Sequence, residues 1–390
     1  MPAQAQTPEL TVVMPCLDEA ETIGACIGKA RTALEAHGIA AEILVADNGS
    51  TDGSQAVARR EGARVVPIAQ RGYGSALMGG IRAARGRYIL MGDADDSYDF
   101  GQAPLFVEKL RQGFDLVQGC RLQTGGGRVL PGAMPASHRL IGNPLFSKLV
   151  RWWYRAPVND VYCGMRAFTR DHYERLGQRC TGMEFATEMI VKSSICGARI
   201  AEVPVTLHPD GRTAHTPHLR TMRDGWRTLR FLLLYSPRWL FLVPGVALCL
   251  AGAVGYALAL PAVHALGVTF DAHTLLFSTL AIMCGYQSVL FAVMTREFAA
   301  SEGLLPRNPR LDRAMTILSL ERVLAIAGVV MIAGIVLLVL VVNDWRLRHF
   351  GHLDYPHTMR MVVPGVLLVA LGFQTILFGF FLSILGLRRM

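Results

Sequence analysis

Charge is scarce in this chain of 390 residues: 18% are Asp, Glu, Lys or Arg, whereas 52% are hydrophobic. That pairing excludes intrinsic disorder, which needs many charges and few apolar side chains. Lysine is rarer still, because 35 of the 39 basic residues are arginine. A lysine-rich tail for nucleic acid is absent, no nucleic-acid partner is expected, and the net charge of +9 points to an anionic membrane surface or phosphate-bearing substrates. The eight cysteines include no CxxC pair and no Cys/His cluster at zinc-ligand spacing, so packed, reduced thiols are expected. The opening MPAQAQTPEL has neither a positive stretch nor an apolar one, and no cleaved signal peptide is expected.

What is present is unevenly spread. From Arg238 onward lie only 11 of the 39 basic residues and 7 of the 30 acidic ones. That stretch holds four apolar runs, at about 239–260, 274–295, 323–342 and 361–387, each near or above the ~20 residues a helix needs to cross ~30 Å of hydrocarbon. A soluble domain over 1–217, an amphipathic segment over 218–237 and a transmembrane domain over 238–390 follow. Arg296, Arg307, Arg310, Arg313 and Arg322 lie between runs two and three, Arg388 and Arg389 follow run four, and 261–273 has no Lys or Arg. The positive-inside rule therefore predicts a multi-pass protein of the inner or plasma membrane with the soluble domain and both termini cytoplasmic, against the counter-signal of Arg346, Arg348 and Arg360. No Asp, Glu or Lys interrupts the runs, which favours an anchor over a transport path.

Two segments read as interfacial helices. In 219–233, Leu219, Met222, Trp226, Leu229 and Leu233 recur at helical spacing beside Arg220, Arg223, Arg227 and Arg230. The stretch 138–155 interleaves Leu145, Leu149, Trp152, Trp153 and Tyr154 with Arg139, Lys148, Arg151 and Arg155. From Leu10 the chain alternates β-rich runs (LTVVMP, EILVAD, ARVVPI, RYILMGD) with helical stretches, one of them from about Glu19 to Ala36. This order predicts an α/β fold with a mainly parallel, doubly wound sheet, whose ligands bind at the carboxyl ends of the strands.

The segments PCLDEAETI, VADNGSTDGS, RGYGSALMGGIRAARG and GDADDSYD, in that order and spacing, resemble the nucleotide-sugar-dependent glycosyltransferases of family 2 with the GT-A fold. GCRLQTGGG, HRLIGN, DVYCGMRAF and HPDGRTAH further resemble the polyprenyl-phosphate glycosyltransferases, the dolichol-phosphate-mannose synthase group. The resemblance implies a nucleotide-sugar donor, GDP-mannose or UDP-hexose, a polyprenyl (undecaprenyl- or dolichyl-type) phosphate acceptor in the bilayer, and Mg2+ or Mn2+ as cofactor; an oligomer is compatible with it.

Asp93 and Asp95, at i and i+2 after a buried strand, supply two oxygen ligands for a divalent cation that stabilises a departing diphosphate. They occupy the family's DxD position. Where the dolichol-type enzymes often have a Gln, this chain has Ser97, so either Asp96 or Ser97 is the third candidate ligand. Pro15, Leu17, Glu19 and Asp47 match positions bordering the nucleotide, and Arg212 a loop covering the diphosphate. Arg121, Arg139 and Asn143 match positions holding the acceptor phosphate, where arginine's planar fork suits phosphate. Glu184 and Glu188 share one helical face and either orient the sugar or an arginine, or form a structural salt bridge. A phosphate monoester has its second pKa near ~6 and is mostly a dianionic nucleophile at neutral pH, so no general base is needed. The implied reaction is a single inverting displacement. Two other functions compete with it. A processive polysaccharide synthase would carry a QxxRW segment where this chain has RDGWR, and a non-catalytic scaffold or flippase subunit would not need Asp93, Asp95, Glu19 and Arg121.

Overall fold

The computed structural model describes residues 7–212, 221–265, 267–302, 305, 313 and 319–387. The chain divides into two compact units, Met1–Leu232 and Leu233–Met390.

In the first unit, β1 (Leu10–Cys16), β2 (Ala41–Asp47), β3 (Arg64–Pro67), β4 (Tyr88–Met91), β5 (Leu116–Cys120), β7 (Arg166–Thr169) and β8 (Ile200–Pro204) form one sheet. Its order is β3-β2-β1-β4-β7-β5-β8. Every neighbouring pair is parallel except those of β7, which runs against β4 and β5. Helices pack on both faces, so the central strands are apolar on both sides: Leu10, Val12, Val13 and Met14 are all fully buried. Each such side chain contributes about 1.5–3 kcal/mol by leaving water. A short parallel pair, β6 (Arg128–Val129) with β9 (Thr206–Leu207), stands beside the main sheet.

The helices of this unit are α1 (Ile23–Ala36), α2 (Ser54–Arg60), α3 (Tyr73–Ala83), α4 (Ala103–Arg111), α5 (Asn143–Tyr154), α6 (Arg170–Leu176), α7 (Glu184–Ile195) and α8 (Thr221–Leu234), the last running on into the second unit. Helix α1 starts at Ile23, later than the apolar spacing predicts. Residues 18–22 instead form a loop laced to 50–54: the Asp18 N–H donates to Ser50 Oγ at 2.9 Å, Glu19 N–H to Ser54 Oγ at 2.8 Å and Ala20 N–H to Asp52 Oδ2 at 2.8 Å. Side-chain oxygens that satisfy these amides replace the first helical turn.

Both amphipathic segments are helical. A wide turn at 138–142 leads into α5, leaving Leu140, Ile141, Leu145 and Trp152 exposed. On α8, Trp226 and Leu234 are exposed. Leu219 and Arg220, like the 217/218 boundary, lie outside the described residues.

Among its described residues the second unit holds four helices long and apolar enough to cross a membrane: Arg238–Ala259, Ala272–Ser301, Leu320–Leu347 and Tyr355–Leu385. The second and third outrun the apolar stretches read from the sequence at both ends and the fourth begins six residues before its stretch, because backbone hydrogen bonding continues through flanking polar residues such as Asp344 and Arg346. Close glycine contacts join them: a Cβ on Gly245 would lie 2.8 Å from the Gly285 carbonyl oxygen, and one on Gly334 2.7 Å from that of Gly365. Small residues let helices approach where lipid removes the hydrophobic drive for association. Tyr256 and Thr279, and Tyr286 and Thr375, add interhelical hydroxyl bonds of 2.6 Å. All eight cysteines are free. Burial pushes the Cys16 thiol up to about 11 and that of Cys163 up to about 12, so neither is a nucleophile at neutral pH.

Candidate active site

The parallel strands β1, β2, β4, β5 and β8 end on one edge of the sheet, and antiparallel β7 begins there, with Arg166 level with Met91 and Gln118. Loops following the first five and preceding the last therefore share that edge. It carries the residues singled out from the sequence.

Asp93 follows β4 and is half-buried. Its Oδ1 accepts the Tyr73 hydroxyl at 2.9 Å, and a Cβ on Gly164, just before β7, would collide with Oδ2. Tyr73 is delivered by the Gly72 turn, whose φ of +130° an L side chain rarely adopts and where an added Cβ would lie 2.5 Å from the Thr181 carbonyl oxygen. Burial, and then the neighbouring Asp95 charge, raise the Asp93 carboxyl to about 6. Asp95 accepts the Ser97 N–H at 3.1 Å and its hydroxyl at 2.6 Å on Oδ1, and Arg212 Nη2 at 3.1 Å on Oδ2. Asp96, in the left-handed region, faces Lys29 with Nζ at 2.7 Å. Of the two third-ligand candidates, Ser97 thus buttresses Asp95 and Asp96 belongs to an ion pair with α1.

Glu19 is brought to Arg212, whose Nη1 donates to Oε1 at 2.9 Å. Asp47 ends β2, level with Cys16 of β1, two residues past Met14 and one past Pro15; Leu17 follows. Its carboxylate accepts the Gly49 and Ser50 amides, both at 3.2 Å, and Gln55 Nε2 at 2.8 Å. Asn48 pins the next loop, its Oδ1 accepting the Gly72 N–H at 2.8 Å.

The donor set suits a hard divalent ion. Asp93 is a half-buried carboxylate that makes no ion pair among the described residues, and Asp95 stands two residues away. Among the described residues no three His, Cys, Asp or Glu side chains are grouped to hold a metal by themselves. Two carboxylates with the remaining ligands drawn from substrate phosphates is the usual arrangement for magnesium.

Arg121, at the end of β5, is buried and grips Asp160: Nε to Oδ2 at 2.7 Å, Nη2 to Oδ1 at 2.9 Å, with its own N–H to Oδ2 at 3.0 Å. Nη1 reaches the Tyr98 hydroxyl at 3.3 Å, which also accepts the Gly164 N–H at 2.8 Å. Desolvation opposes ionisation of Asp160, but the Arg121 charge and hydrogen bonds outweigh it and hold the carboxyl below its usual range. One N–H on each Nη of Arg121 remains. Arg121 also lines a cleft of about 1020 Å3, together with Arg128, Arg139, Lys148 and Arg151. Among the described residues no carboxylate lines it, and Arg128, Arg139 and Lys148 make no ion pair. Asn143 lies outside the lining, donating to Met134 Sδ at 3.4 Å. Glu188 is fully buried, accepting the Arg179 and Cys180 amides and Lys192 Nζ at 2.7 Å, which is a structural arrangement. Glu184 lies 3.8 Å from Arg227.

Tyr73, Gly164 and Asp160 escape the sequence reading, since each acts on a partner remote in the chain. A signal for the cleft did exist: residues 116–159 contain no Asp or Glu but six basic side chains, Arg121, Arg128, Arg139, Lys148, Arg151 and Arg155.

A mainly parallel α/β sheet with an acid pair after β4, followed by membrane-length helices, defines a membrane-attached glycosyltransferase of the GT-A class. Residues 11–177 match the glycosyl transferase family 2 domain and residues 293–386 the glycosyltransferase family 2 C-terminal transmembrane region. The chain is 37% identical to the low-salt glycan biosynthesis hexosyltransferase Agl6 of Haloferax volcanii, across 97% of this chain and 89% of that protein. It is 30% identical to the dolichyl-phosphate hexose transferase of the same organism, across 50% of this chain and 82% of that protein. A solved structure of glucosyl-3-phosphoglycerate synthase from Mycobacterium tuberculosis, in complex with Mn2+, UDP and glucosyl-3-phosphoglycerate, superposes with a TM-score of 0.45 at 22% identity, covering 58% of this chain and 79% of that one. The chain belongs to glycosyltransferase family 2 and is a glycosyltransferase enzyme of its polyprenyl-phosphate group, with an integral membrane region.

Proposed function

We propose that the protein transfers a monosaccharide from a nucleotide sugar, GDP-mannose or a UDP-hexose, to a polyprenyl phosphate at the cytoplasmic face of the membrane. The observation that carries this is the cleft of about 1020 Å3, lined among the described residues by five cationic side chains and no carboxylate, whose Arg121 reaches the Tyr98 hydroxyl that also accepts the N–H of Gly164, the glycine packed against Asp93. Exposed Leu140 and Trp152 at its lining suit a lipid carrier, and the cations suit the phosphate. The hexosyltransferase and dolichyl-phosphate names of the relatives support the same donor and acceptor classes.

Glu19, Asp47 and the 15–17 segment border the nucleoside, and Arg212 reaches the diphosphate. Asp93 and Asp95 would hold Mg2+ or Mn2+, which supplies charge stabilisation for the departing nucleoside diphosphate. Arg139 and the free N–H groups of Arg121 orient the acceptor phosphate. Its oxygen, already ionised, forms the bond to the anomeric carbon as the bond from that carbon to the donor diphosphate breaks, inverting the configuration. No side chain has to remove a proton.

Purified protein incubated with radiolabelled sugar nucleotides and undecaprenyl or dolichyl phosphate is expected to yield an organic-extractable, mild-acid-labile product. Label recovered only in long insoluble polymer, or none transferred with any donor in the panel, would overturn the proposal.

A further inference from the structure

Glu19 after β1, Asp95 after β4 and Asp210 after β9 come from three distant parts of the chain, and one guanidinium joins them. Arg212 donates from Nη1 to Glu19 Oε1 at 2.9 Å, from Nη2 to Asp95 Oδ2 at 3.1 Å, and from Nε to both Asp210 oxygens at 2.9 and 2.8 Å. Its side chain is only 11% exposed. The supporting loop is fixed by backbone, with the Gly211 N–H on the Asp95 carbonyl at 3.0 Å and the His208 N–H on that of Ser97 at 2.8 Å. Both Asp95 oxygens are therefore engaged without any donor, Oδ1 by Ser97 and Oδ2 by Arg212.

Resting on the reading of Asp93 and Asp95 as cation ligands, this arrangement sets up a competition. A divalent ion at Asp95 and the guanidinium on the same carboxylate repel each other in a poorly hydrated pocket. A diphosphate removes the conflict: it offers the arginine a bidentate partner and the ion the oxygen ligands that two aspartates cannot supply. We propose that Arg212 is an exchangeable counter-cation, which neutralises Glu19 and Asp95 in the donor-free enzyme and passes to the diphosphate when the sugar nucleotide binds. The divalent ion and the nucleoside diphosphate then enter as a coupled pair, each binding weakly without the other. By linkage the coupling is reciprocal.

The test is Mn2+ binding to the full-length protein in detergent, measured by electron paramagnetic resonance with and without UDP or GDP. Wild type is expected to bind Mn2+ weakly alone and much more tightly with one of the nucleotides. Arg212→Gln should bind Mn2+ alone about tenfold more tightly than wild type, the worth of one displaced charge-assisted contact, and the nucleotide-induced gain should shrink by a similar factor. Arg212→Lys keeps the charge and should retain most of the coupling, which separates the effect from a loss of fold. Unchanged or weaker Mn2+ binding by Arg212→Gln in the absence of nucleotide, with the gain intact, would overturn the exchange while leaving the transferase reading standing. Mn2+ binding indifferent to Asp93→Asn and Asp95→Asn in every background would remove the cation-ligand reading and the exchange with it.

Discussion

Asp160→Asn isolates one link between fold and site. Asp160 is fully buried, its Arg121 partner nearly so, and three hydrogen bonds of 2.7–3.0 Å join them. The substitution keeps volume and shape but leaves the guanidinium that lines the cleft without its counter-charge. Breaking a buried pair from one side costs about 3–5 kcal/mol, because the remaining charge stays desolvated. Replacing both partners removes that charge, so Arg121→Met with Asp160→Asn should cost about 1–2 kcal/mol in total, well below the sum of the single changes. Denaturant unfolding in detergent, followed by tryptophan fluorescence and by loss of donor binding, reads both quantities. The sign with pH is set by the depressed Asp160 carboxyl: its contribution is present above the unfolded carboxylate pKa and is lost as pH falls through the lower folded value. The wild-type advantage over the double variant should therefore hold at neutral pH and disappear only in strong acid. A single-variant loss below about 1 kcal/mol, or strictly additive losses, would refute the view that Arg121 is held by Asp160 and not by solvent or ligand.

Mn2+ binding should weaken as pH falls through about 6, where protons compete for Asp93; a flat profile between pH 5 and 7.5 would exclude Asp93 as a ligand. Because its folded pKa is raised, Asp93 favours folding below that value and the contribution is lost as pH rises through it, so melting of the donor-free protein should show this component on acidification from pH 7 to 5. Gly164→Ala places a Cβ against Asp93 Oδ2 and should reduce Mn2+ affinity at least about tenfold with the fold retained, and wild-type affinity would show that the carboxylate has room to move. Arg128→Gln and Lys148→Gln should each raise the acceptor KM several-fold, about 1 kcal/mol of charge-assisted contact, with the donor KM unchanged; equal effects on both would detach the cleft from the acceptor.

Much of the architecture was legible because it is written in local pattern. LTVVMP and RYILMGD are apolar on both faces and became central strands, and the four apolar runs became membrane-length helices. The GDAD carboxylates fall at a strand end by sequence alone. The start of α1 was not legible, since the amides of residues 18–20 find side-chain acceptors beyond residue 49. Nor was Asp160, which fits its DVYCGMRAF segment as well as any turn aspartate until β5 and β7 bring Arg121 beside it.

The sequence by itself determined which parts meet water and which meet lipid, because burial of apolar surface depends on composition and short-range periodicity. It also supplied the chemical inventory: carboxylates at strand ends and arginines in place of lysines. Only the tertiary structure decided how those charges pair. Arg212 stands 193 residues from Glu19 and 117 from Asp95, and Tyr73 stands 20 from Asp93. Hydrogen bonds and ion pairs act over about 3 Å, so a pairing between residues so far apart in the chain is settled by strand order and loop path.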